Sequence, residues 1–163
     1  MESDGCRYLH HGRARGEITA LTQNSRESPL SIDAVTSNTQ VLNVHRYGAA
    51  QPAQILAVHG LTGHGQRWQT LATKHLVDVS IVAPDLLGHG RSSWAAPWTL
   101  DANVSALADL LVHEAERPVL VVGHSFGAAI ALKLAAARPD LVASLVLLDP
   151  AVGLDGAWMA NIA

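Results

Sequence analysis

A chain of 163 residues, 48% of them hydrophobic, is long enough for one domain with a buried core. Its net charge of -3, with no cluster of Lys or Arg, offers no electrostatic footprint for nucleic acid or an anionic membrane surface. The one cysteine, Cys6, cannot form an internal disulfide; no apolar run reaches bilayer length and the first residues lack a signal-like apolar stretch, so a soluble, cytoplasmic protein is expected.

Residues 1–28 mix Arg, Glu, His, Ser and Gly without periodicity, the composition of a disordered N-terminal extension. His10 and His11 there have no thiol or carboxylate at ligand spacing, so no metal site is expected. The domain is expected to occupy residues 29–163. SIDAV and QVLNVHRY, separated by TSNT, predict an antiparallel hairpin. Gln54 to His59 is a short apolar strand, and Trp68, Leu71, Ala72 and Leu76 follow at helical spacing. Ser80 to Ala83 is the next strand, stopped by Pro84; Val104, Leu107 and Leu111 mark the inner face of a helix ending before Pro118. Val119 to Val122 is a third strand, the alanine-rich stretch from Phe126 to about Ala137 a third helix, and Leu145 to Leu148 a fourth strand. Four strands separated by three helices predict an α/β fold, a mostly parallel sheet with right-handed crossovers and helices on both faces.

Chemistry in such a sheet gathers at the carboxyl ends of the strands, which places HGLTGHG, DLLGHGRS, GHSFG and DPAVG along one edge. Gly123-His124-Ser125-Phe126-Gly127 is a G-x-S-x-G pentapeptide between a strand and a helix. A serine raised on a strained turn needs minimal neighbours two positions before and after it, and Gly123 and Gly127 meet that need. A serine that merely caps a core helix is the alternative, and it would not require glycine on both sides. His59-Gly60 closes another strand and lets the Leu61 N–H face the same pocket; with the Phe126 N–H it would make a two-donor oxyanion hole.

The ordered series HGLTG, PDLLGHGRS, GHSFG and LVLLDP resembles the α/β-hydrolase superfamily, in particular its lipase and esterase branch, over about residues 30 to 155. The resemblance implies an α/β-hydrolase-type sheet with Ser125 as nucleophile and Leu61 and Phe126 as oxyanion donors. It also implies supporting roles for Gly123, His124 and Gly127 at the elbow and for His59 and Gly60 in the facing loop. Asp85, Gly88, His89, Gly90 and Arg91 match a family loop that shapes the site. A small-molecule ester would be the substrate, with no metal and no organic cofactor. The same motifs resemble cofactor-free haloperoxidases and hydrolases of C–C bonds.

A serine at neutral pH is a poor nucleophile without a base that is itself held by a carboxylate. His124 diverges from Ser125 across the turn, and His59 belongs to the structural HG motif. His64 and His89 lie in loops at the correct edge and are the candidate bases, whereas solvated or core roles suffice for His45, His75 and His113. In the family the acid and the histidine usually follow later strands. The chain is therefore expected to be a core truncated after the sixth strand, with Asp149 structural rather than the triad acid. The expected function is that of an ester hydrolase by ancestry with impaired catalysis; a non-catalytic remnant or binding module is the alternative. Trp68, Trp94 and Trp98 flank the site loops and serve either an acyl pocket or core packing. The outer edge of Ser144 to Leu148, with unpaired backbone groups, predicts an oligomer or aggregate.

Overall fold

The computed structural model describes residues 40–49 and 52–153, all within one compact unit. The predicted extension and the SIDAV strand lie outside the described residues. Five strands and three α-helices follow in the order β1 Val44–Tyr47, β2 Ile55–Val58, α1 Gln69–His75, β3 Ile81–Pro84, α2 Leu100–Glu114, β4 Val119–His124, α3 Phe126–Ala137 and β5 Val142–Leu148, with a short 3₁₀ turn, Gly65–Trp68, leading into α1.

Strand patterning explains the layers. Successive side chains of a strand point to opposite faces. Leu56 and Val58 of β2 and Val82 of β3 enter one core with Leu107 and Leu111 of α2 and Ile130 and Leu134 of α3. The alternate residues Ile55, Ala57, Ile81 and Ala83 enter a second core with Trp68 and Ala72. β2 and β3 are buried at every position, as strands covered on both faces must be. Helices therefore cover both faces, as predicted. Thr99 caps α2 by accepting a hydrogen bond from the Ala102 N–H at 3.1 Å, with Asp101 in the positive first turn. Small residues on α3 bring its backbone close to the sheet.

The sheet order is β1-β3-β2-β4-β5, parallel except for β1. The described part of the expected hairpin, β1, is antiparallel to β3, with Val44 opposite Pro84 and Tyr47 opposite Ile81. That pairing is nonlocal, and local turn signals carry no information about it. β5 pairs with β4 and, among the described residues, with no strand on its other side. Val146 and Leu148 on β5 are 41% and 43% exposed, in contrast to the buried inner strands. No helix among the described residues is long and apolar enough to cross a membrane.

Candidate active site

Register sets the site. β2, β4 and β5 are adjacent and parallel, with Val58 opposite Gly123 and Gly123 opposite Leu147. The residues just beyond these, Gly60, Ser125 and Asp149, therefore share one edge of the sheet. Ser125 ends β4 at φ +50° and ψ -116°, and α3 begins at the next residue. The non-glycine residues with positive φ among the described residues are Thr62, Ser125 and Asp149, each just past one of these three strands. Such backbone strain persists only where the surroundings over-determine it.

Those surroundings are visible. The Ser125 N–H donates to Leu148 O at 2.9 Å, and the Ala151 N–H donates to Ser125 O at 3.1 Å, so the DPA segment after β5 clamps both sides of the strained residue. A Cβ on Gly123 would lie 2.6 Å from Ala128 Cα, and one on Gly127 would lie 2.3 Å from His59 O. The two elbow glycines let β4, α3 and the end of β2 approach at backbone distance. A Cβ on Gly60 would fall 2.8 Å from His124 Nδ1, which packs the HGLTG loop directly against the elbow. The same loop turns back on itself, with Gly63 N–H donating to Gly60 O at 2.9 Å. Neither the Leu61 nor the Phe126 N–H donates to any group among the described residues. The helix behind Phe126 adds the positive end of its dipole.

Because glycine adopts the Ser125 conformation without strain, Ser125→Gly is expected to stabilise the fold. Relief of about 1–3 kcal/mol of strain outweighs about 0.5–1 kcal/mol of added chain entropy. A urea midpoint that rises with an unchanged slope is the expected result; a lower midpoint would show that the turn is unstrained.

A cleft of about 430 Å³ opens here, lined by His59, the Gly60–Gly63 loop, Arg67, Trp68, His124 and Leu148. A second groove of about 400 Å³ shares the wall formed by Leu61, Thr62 and Gly63 and continues past His89 to Trp94. Trp94 and Trp98 are largely exposed and pack edge to face, with ring centroids 6.3 Å apart. Trp68 is 8% exposed and belongs to the core beneath the cleft as well as to its wall.

The histidines separate by their hydrogen bonds. His59 is 1% exposed; its Nδ1 is 2.8 Å from Gly60 O and its Nε2 accepts from Leu86 N–H at 2.9 Å, so the ring is neutral with its proton on Nδ1. Burial is the main cause that lowers its pKa to about 4, aided by the nearby His89 and opposed by the bond to Gly60. Its one lone pair is occupied, which leaves it no capacity to act as a base. His89 stacks edge-on to His59 at 5.2 Å and donates through Nδ1 to Leu87 O at 3.0 Å. His124 is exposed and lines the cleft, and His64 is half-buried at the start of the 3₁₀ turn. No side chain among the described residues hydrogen-bonds the Ser125 hydroxyl, so neither His64 nor His89 is brought to it.

The depressed His59 pKa has a definite sign. Between about pH 4 and 6.5 the unfolded chain binds the proton and the folded chain does not, so stability falls as pH drops through that window. A loss of about 2 kcal/mol is expected between pH 7 and pH 5. Thermal unfolding of the wild type and of His59→Gln across that range checks it; an equal pH slope in both would contradict the assignment.

Asp85 is the second organiser, and its reach exceeds what its place in the GHG loop suggested. Its carboxylate accepts from Gly65 N–H at 2.7 Å, Arg91 N–H at 2.9 Å and Asn43 Nδ2 at 3.0 Å, and pairs with His45 Nε2 at 3.2 Å. Burial pushes this carboxyl up, but the bonds from Arg91, Gly65 and Asn43 and the charge of His45 together outweigh it and hold it below its ordinary value. Buried Asn103 ties the same loop to α2 by accepting from Leu87 N–H at 2.9 Å, a contact that no sequence signal announced. No group of His, Cys, Asp and Glu suited to a metal ion occurs among the described residues.

A mostly parallel sheet, a strained serine at the foot of a helix and a glycine loop folded against it are the features of the α/β-hydrolase fold. A sequence profile described as the alpha/beta hydrolase family matches residues 55–163, and the chain belongs to that family. It is 66% identical over 121 residues to Lipase LipV of Mycobacterium tuberculosis, covering 74% of this chain and 46% of that protein. It is 35% identical over 140 residues to Esterase Rv0045c of the same organism, covering 82% of this chain and 45% of the relative. Among solved structures, a marine microorganism esterase superposes with a TM-score of 0.60 at 26% identity, over 67% of this chain and 41% of that one. The chain spans about half the length of the curated relatives it matches.

Proposed function

We propose that this chain carries the nucleophile half of a serine carboxylic ester hydrolase. Ser125 Oγ adds to the ester carbonyl, and the developing oxyanion is held by the N–H groups of Leu61 and Phe126. The C–O bond to the alcohol then breaks, the Ser125 proton passes to the departing alcohol through a base, and water releases the acid from the acyl-enzyme. Gly60, Gly123 and Gly127 permit the close packing that presents the serine, His124 covers Gly60, and His59 fixes the loop. The base comes from outside the described residues. The carrying observation is the strained Ser125 turn, clamped by Leu148 and Ala151 beside two unpartnered N–H groups. The names Lipase LipV and Esterase Rv0045c support an ester substrate.

The test is covalent labelling of the full chain with a fluorophosphonate, followed by peptide mapping. Ser125 should be the modified residue and Ser125→Ala should carry no label. The unpartnered Ser125 hydroxyl also favours a second reading, a non-catalytic binding module. Under that reading Ser125 is modified no faster than the other serines of the chain, even at raised reagent concentration and pH.

A further inference from the structure

We propose that Arg67 makes the cleft a receptor for a carboxylate, so that the ester substrate carries an acidic group besides its scissile carbonyl; this rests on the reading of Ser125 as nucleophile. Arg46 is neutralised by Glu114 and Arg138 by Asp140, whereas Arg67, Arg91 and Arg117 have no ion pair among the described residues, and of these three Arg67 lines the cleft. Arg67 lines the cleft and, among the described residues, makes neither an ion pair nor a side-chain hydrogen bond. No Asp or Glu lines that cleft. The carboxylate beneath this wall, Asp85, is 2% exposed and already engaged by Gly65, Arg91, Asn43 and His45.

The position of Arg67 is fixed from below. Its N–H donates to His64 O at 3.1 Å, and the next residue, Trp68, is buried in the core. The remaining wall comes from Leu61, Trp68, Leu148 and the loop glycines, with Thr62, neutral His59 and His124 as its polar side chains. A guanidinium in such surroundings presents a planar fork that matches a carboxylate with two parallel hydrogen bonds. The Leu61 and Phe126 N–H groups and the α3 N-terminus give the other end of the site the same positive sign. A substrate with an acidic arm is held at both ends, whereas a neutral one is held only at its carbonyl.

The experiment compares sodium butyrate with butyramide, which are matched in size and differ in charge, by NMR titration of the full chain at low salt. Butyrate should bind about tenfold more tightly, a difference of about 1.4 kcal/mol, and added salt should shrink the preference. Arg67→Gln should bind the two alike, and Arg67→Lys should fall between. Equal binding by the wild type, or a butyrate preference that survives Arg67→Gln, overturns the proposal. Because butyrate does not react with Ser125, a preference that depends on Arg67 while phosphonate labelling fails supports the carboxylate site and removes only the nucleophile reading.

Discussion

Expressed as the 163-residue chain, the protein is expected to turn over p-nitrophenyl butyrate roughly a millionfold more slowly than an intact serine esterase. The reasoning is geometric. Transfer of the serine proton requires a base within hydrogen-bonding reach, and no side chain among the described residues hydrogen-bonds Ser125. His59 has spent its lone pair on Leu86, and no hydrogen bond joins His64 or His89 to the serine. The oxyanion donors alone leave a residue on the order of 10³ to 10⁴ over water. That remnant should vanish in Ser125→Ala. Turnover near that of an intact esterase would mean that His64 or His89 reaches the serine in solution, and alanine substitutions at the two positions would identify which.

Asp85→Ala is expected to cost about 3–5 kcal/mol, a large share of the stability of an ordinary domain. It strips the buried Gly65 N–H and the part-buried Arg91 N–H of their acceptor and leaves Asn43 and His45 without a shared partner. Asp85→Asn keeps the shape but not the chemistry. Both oxygens face donors, so whichever side the amide nitrogen takes sets N–H against N–H. A loss of about 2–3 kcal/mol is expected for it. Urea unfolding checks both, and a loss below about 1 kcal/mol for Asp85→Ala would show that the loops stand without the carboxylate.

Local signals in the sequence carry most of the described elements. α3 runs from Phe126 to Ala137 as its composition foretold, and Val104, Leu107 and Leu111 are the buried face of α2. The elbow was legible because its steric demand falls on residues within two positions of Ser125. What stayed hidden depends on pairs distant in sequence. The β1–β3 pairing joins segments about forty residues apart, and Asp85 gathers Asn43 and Gly65 from before it and Arg91 from after it in the chain. Strain at Thr62 was equally invisible, since threonine gives no local hint of a left-handed backbone. The segment around the LDP motif has a structural use, since Leu148 O and Ala151 N–H clamp Ser125 from both sides.

The rate of Ser125 phosphonylation as a function of pH tests the central claim most directly, because it asks whether the raised serine has a base. Measured between about pH 6 and 9, a serine activated only by its elbow and N–H donors should react about tenfold faster per pH unit, following hydroxide, with no inflection near the imidazole range. A rate that instead levels off with an apparent pKa near 6.5 to 7, and loses that plateau on replacement of a single histidine, would contradict the account.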